Sequence, residues 1–232
     1  MRRETVTPEP DILAFDTSAA HCAAALLNED VVLAERFEAM KRGQAERLMP
    51  LLETLLADRG VTWRDLTALV VGIGPGNFTG IRIAVSAARG LGLALRLPVF
   101  GVSSFEVMRD PTGLGAHPAE IVSLPAPRDQ AYVQHFRYGK PQSAPRVIDP
   151  DDPPADLRLP VNMRVRGFRA DDIALAFDAE ADPAEAGDIA ARIGKVADWR
   201  RLTGEVPVRP APLYVRAADA APPRDPAPVI LP

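Results

Sequence analysis

The chain has 232 residues, 47% hydrophobic and 25% charged, which is enough apolar material for one sizeable core or two small ones. A net charge of −4 and a pI near 5.5 argue against a protein that grips nucleic acid by itself, because that requires a basic patch to displace phosphate counterions. The single cysteine, Cys22, excludes an internal disulfide and a Cys-based metal site, and suits a reducing cytoplasm.

Residues 1–10 combine Arg2, Arg3, Glu4 and Glu9 with two prolines and no apolar run, and are expected to be a disordered tail rather than a secretory leader. Residues 12–16, 22–27 and 31–37 read as three strands of a meander, turned by Thr17, Ser18 and Ala19 and then by Asn28, Glu29 and Asp30. A helix follows over 45–59, where Leu48, Leu51, Leu52, Leu55 and Leu56 share one face and Gly60 is the stop signal. Residues 66–72 form a continuous apolar run typical of a buried strand and lead into the turn GIGPGNFTG. A second helix is expected over 79–95 and a strand over 98–102, so the first lobe spans 11–105. The longest apolar stretch, 90–102, is broken by Arg96 and Pro98 and falls short of the ~20 residues of a membrane helix, so no membrane contact is expected.

A smaller second lobe is expected over 106–216, with strands at 120–124 and 131–138, a Pro- and Asp-rich loop at 149–160, and a helix over 184–199 despite Gly187 and Gly194. Residues 217–232 are mostly alanine, proline and charge and are expected to be a tail. The basic groups Arg164, Arg166 and Arg169, and Lys195, Arg200 and Arg201, read as solvated faces rather than an RNA site.

Two turns carry candidate chemistry. Asp16, Thr17 and Ser18 end a strand, where a carboxylate and hydroxyls face either a phosphate or only their own backbone, as Asx and Ser/Thr turns do. Gly72, Gly74, Gly76 and Gly80 frame a strand-to-helix turn, where free amides and the helix dipole attract an anion. That turn lacks the lysine of a P-loop and the dinucleotide spacing, and the alternative is that Pro75 stiffens it while Thr79 caps the helix. Together Asp16, Thr17, Gly74, Gly76, Asn77 and Thr79 are the candidate residues of a weak, vestigial phosphate site. His21, His117 and His135 are scattered and assemble no local metal site, and no nucleophile elbow surrounds Ser18, Ser103 or Ser104. On the second helix, Arg82, Ser86, Arg89 and Arg96 occupy one narrow arc and apolar or small residues roughly 220° of the rest, twice what one-sided packing requires. Ala84, Ala87, Ala88 and Leu91, with Leu48, Leu51, Leu52 and Leu55, are therefore expected to form a two-helix partner-binding surface, the alternative being that the lobe's own core surrounds the helix.

The runs ILAFDTS, AERLMPLLETLL, GIGPGNFTGIRIAVSAARGLGLAL and PVFGVSSFEVM occur in order across residues 11–108 and resemble the TsaB (YeaZ) family, as does PLYVRAADA near the C-terminus. Gln44 departs from the histidine found there in many relatives. The resemblance implies an α/β ASKHA (actin/sugar-kinase-like) two-lobe fold with a reduced second lobe. It further implies a non-catalytic role in threonylcarbamoyladenosine formation on tRNA, with a TsaD-like catalytic paralogue and a TsaE-like ATPase as partners and tRNA met only through the complex. Ser104 and Met108 stand where the paralogue places its two metal-binding histidines, so neither a metal nor a resident cofactor is expected, although a nucleotide at the partner interface is left open. The rival readings are an ATP-dependent small-molecule kinase or peptidase of the same fold, and a stand-alone homodimer.

Overall fold

The computed structural model describes residues 12–109, 117–158, 162–185 and 187–215, so the tails expected at 1–10 and 217–232 lie outside the described residues. The meander forms as β1 (Ile12–Asp16), β2 (His21–Asn28) and β3 (Val31–Ala39), all antiparallel. After α1 (Gln44–Asp58), β4 (Ala68–Gly72) runs parallel to β1, and after α2 (Phe78–Leu95), β5 (Val99–Val102) runs parallel to β4. The sheet order is β3-β2-β1-β4-β5. Alternation in β1 sends Leu13 and Phe15 to one face and Ile12 and Ala14 to the other, and both faces are buried.

The first face is covered by α1 and α2, which lie side by side. Here the partner-binding expectation is corrected. Leu48, Leu51, Leu52, Leu55, Ala84 and Ala88 are at most 1% exposed and pack against Leu13, Phe15, Leu26 and Leu69 of the chain's own sheet. Ala87 and Leu91 are half-buried at the rim of the same core. The physical reason is that α2 meets the sheet on one side and α1 on its flank, so its wide apolar arc needs no second protein. By length and composition alone, the 18 residues of α2 would suffice to cross a membrane.

The second face is covered by α5 (Ile189–Leu202), whose Ala190, Ile193, Val196 and Ala197 meet Ile12, Ala25, Leu27 and Val70. Gly194 makes that approach possible, since a Cβ there would lie 2.4 Å from the Leu27 side chain. The helix expected at 184–199 thus begins five residues later, and although it lies in the stretch assigned to the second lobe it packs on the first sheet.

Between these, α3 (Ser104–Met108) leads to a second sheet. Its strands are β6 (Ala119–Pro125), β7 (Ala131–Arg137), β8 (Lys140–Pro141), β9 (Arg146–Ile148), β10 (Met163–Gly167) and β11 (Glu180–Asp182). The order is β11-β10-β6-β7-β8, with β9 also on β7. One face packs on α4 (Ala170–Leu175) and on the one-turn helix Ala155–Leu157, which lies in the expected loop. The other face packs on α3, whose Phe105 and Met108 belong to that core while Val107 belongs to the α5 core. The short helix therefore ties the two sheets together, and a Ser103–Glu106 capping box holds its start. Arg200 of α5 secures the joint by donating to the Gly101 carbonyl at 2.8 Å and to Glu106 at 3.3 Å.

Candidate functional site

The two turns singled out in the sequence meet in space. Asp16 is 1% exposed, and its Oδ1 accepts from the Ser18 amide and hydroxyl, both at 2.9 Å, and from His21 Nε2 at 2.6 Å. Its other oxygen lies over Gly72, where a Cβ would come within 1.8 Å of Oδ2. The Thr17 hydroxyl donates to the Gly80 carbonyl at 2.7 Å, and the Asn77 amide donates to the Ser18 carbonyl at 2.6 Å. A Cβ on Gly76 would sit 2.2 Å from the Ser18 oxygen, and one on Gly80 would sit 1.9 Å from the Thr17 oxygen. The glycines thus serve backbone-on-backbone contact between the turns. The cap on α2 is Asn77, whose Oδ1 accepts from the Gly80 amide at 2.9 Å, and not Thr79, which lies exposed in the first turn. Asp16, Thr17, Gly76 and Asn77 come together at this seam, while the Gly74 carbonyl accepts from the Ser104 amide at 2.9 Å.

Beside the seam, a cleft of about 800 Å³ opens between the two sheets. Ser18, His21 and Gly76 of the first lobe, Ser104 and Met108 of α3, and Leu124, Gly167, Phe168, Arg169 and Glu185 line it. Arg169 is surrounded by carboxylates, with Asp172 at 2.7 Å, Asp129 at 3.2 Å and Asp151 in closer contact. Bonds to Asp151 first, and to Asp172, push its pKa further above the ordinary arginine value. Ser104 and Met108, one turn apart on α3, both face the cleft. Among the described residues, no three His, Cys, Asp or Glu side chains cluster as a metal site would require. Burial, with Glu38 adding to it, pushes the Cys22 thiol up to about 11, which removes it as a nucleophile at neutral pH.

His21, Arg169 and Glu185 are among the cleft residues that the sequence reading did not assign. His21 opens the strand that pairs with the Asp16 strand, and that hairpin register is the signal that could have joined them. For Arg169 the local signal was Asp172, three residues on, while Asp129 and Asp151 reach it from distant loops.

Two sheets hinged on a short helix, with a hairpin turn and a glycine-rich turn facing the cleft between them, define the ASKHA class of two-lobe α/β proteins. Residues 32–151 match the family described as TsaD: tRNA N6-adenosine threonylcarbamoyltransferase. The tRNA threonylcarbamoyladenosine biosynthesis protein TsaB of Bacillus subtilis is 38% identical over 129 residues, 55% of each chain, so the chain spans about half the length of that curated relative. An uncharacterised protein of Mycobacterium tuberculosis is 33% identical over 218 residues, covering 91% of this chain and 94% of that one. The crystal structure of a Pseudomonas aeruginosa protein described as similar to peptidase YEAZ superposes with a TM-score of 0.67 at 26% identity, over 89% of this chain and 100% of that one. The chain belongs to the TsaB (YeaZ) family.

Proposed function

We propose that this chain is an accessory subunit in threonylcarbamoyladenosine formation on tRNA, which binds and orients a TsaD-like catalytic paralogue and has no active site of its own. A TsaE-like ATPase would join the pair, and tRNA would be met only through the complex. The observation that carries this reading is the outward row of α2, where Arg82, Ser86 and Gly90 are exposed beside Arg89 and where Leu93 is 83% exposed. Among the described residues neither Arg82 nor Arg89 has a carboxylate partner, so the row offers unpaired donors around one protruding apolar side chain. This surface replaces the buried leucines as the docking candidate. The bonding of the Ser18, Asn77 and Gly80 amides within the protein supports the non-catalytic half of the reading.

The experiment is size-exclusion of the purified chain with its TsaD-like paralogue. Leu93→Glu and Ser86→Glu are expected to leave circular dichroism unchanged and to abolish the stoichiometric complex, because both side chains are exposed on that row. Intact complexes with both variants would move the interface elsewhere. ATP turnover by the isolated chain is expected to stay below about 1 per second, and ordinary turnover lost in Asp16→Ala would favour the kinase reading. A homodimer is the second reading, and one feature favours it. The outward face of α1 carries Glu46 and Glu53, so a second copy related by a twofold axis would set those acids against the α2 arginines.

A further inference from the structure

The cleft has a charge pattern that the docking reading does not use. A cleft of about 800 Å³ falls within the range of small-molecule sites, which combine apolar walls with a few convergent polar groups. Met108, Leu124 and Phe168 supply the apolar surface. Its charged lining groups are Arg169 and Glu185; Arg169 is neutralised by carboxylates outside the lining, and among the described residues Glu185 has no ion pair, so Glu185 is the uncompensated charge of the cleft. At the seam, the Asp16 carboxylate accepts from His21 Nε2, so in the neutral ring that nitrogen carries the proton and Nδ1 holds a free lone pair. Among the described residues no side chain or backbone group bonds Nδ1, and it is not a buried atom lacking a partner, so it stays open to solvent.

We propose that this cleft binds a small organic cation, an ammonium on an apolar body, with the ammonium donating to His21 Nδ1 and facing Glu185 while the body rests on Met108, Leu124 and Phe168. Charge selects the ligand. An anion would meet the uncompensated Glu185, because Arg169 is already held by its own carboxylates. An ammonium is drawn to Glu185 and satisfies the Nδ1 lone pair of His21. The proposal stands apart from the docking row on α2, so either can fail without the other.

The test is calorimetric titration of the full chain with three ligands that share one indole body: tryptamine, the neutral tryptophol and the anion indole-3-acetate, with ATP as a fourth. Tryptamine is expected to bind about tenfold tighter than tryptophol, the effect of one charge-assisted hydrogen bond, with indole-3-acetate and ATP weaker still. Glu185→Gln and His21→Phe are each expected to remove most of the preference for the amine while leaving tryptophol affinity within about twofold, the indole contacts being apolar. Glu185 is exposed, so its variant keeps the test interpretable should His21→Phe disturb Asp16. Equal affinity for amine and alcohol, tighter binding of indole-3-acetate or ATP, an unchanged preference in Glu185→Gln, or no binding of any probe would each overturn the proposal.

Discussion

Gly80 and Gly90 lie in the same helix, and replacing each with alanine should move stability in opposite directions. At Gly90 an added Cβ meets nothing within 4 Å, so Gly90→Ala keeps only the helix-propensity gain of about 0.5–1 kcal/mol. At Gly80 the same Cβ would stand 1.9 Å from the Thr17 backbone oxygen, against an ordinary contact of 3.4 Å or more. Backbone cannot rotate aside, so the seam must open by about 1.5 Å. That movement breaks the Thr17 hydroxyl bond to Gly80 and strains the Asn77 amide bond to the Ser18 carbonyl. A buried polar group left unpaired costs about 1–3 kcal/mol and overpacking a further 1–3, which outweighs the propensity gain and leaves a net loss of about 3 kcal/mol. Urea denaturation of the two variants decides the matter, with the Gly80→Ala midpoint lowered and the Gly90→Ala midpoint slightly raised. A Gly80→Ala protein within about 0.5 kcal/mol of the parent would refute the argument that the turns seal one another.

Three further outcomes are expected. Glu120 is 1% exposed and is bonded by Arg164 at 2.7 Å, with Arg109 at 3.5 Å, so Glu120→Leu removes the buried carboxylate that both guanidinium groups share and should cost about 1.5–3 kcal/mol in the same denaturation assay. Burial first, and the neighbouring Arg146, lower the His135 pKa from its ordinary 6.5, and among the described residues its buried Nε2 has no partner. The folded state therefore prefers the neutral ring. Its contribution to stability is complete above the unfolded pKa and is lost as pH falls from there toward the lower folded value. Unfolding free energies measured from about pH 8 to pH 5 should fall less steeply in His135→Leu, and parallel slopes in the two proteins would refute this. With its thiol raised to about 11 by burial, Cys22 should resist a thiol-disulfide reagent at neutral pH and react once urea unfolds the chain, and rapid labelling of the native protein would contradict the burial.

Periodicity along the chain determined most of the first lobe. The leucine spacing predicted a helix over 45–59 where α1 runs Gln44–Asp58, and the apolar runs located β1 to β5, because a one-faced helix and a two-faced strand leave different repeats. In the second lobe β10 and α4 went unread. The run MRVRG does alternate, with Met163, Val165 and Gly167 buried, but its arginines look like a solvated face until Glu120 and Asp182 are seen to pair with them. The candidate site divides in the same way. That Asp16 and Ser18 would form a local turn, and that the glycines mark a strand-to-helix turn, was legible from neighbouring residues. Only the tertiary structure decided that Gly76 and Gly80 close against Ser18 and Thr17, some sixty residues away, that His21 holds Asp16, and that α1 rather than a partner flanks α2. An apolar stripe encodes that a face must be covered. What covers it depends on where the rest of the chain returns, and α5 coming back from beyond the second sheet to pack on β1 and β2 leaves no mark in its own residues.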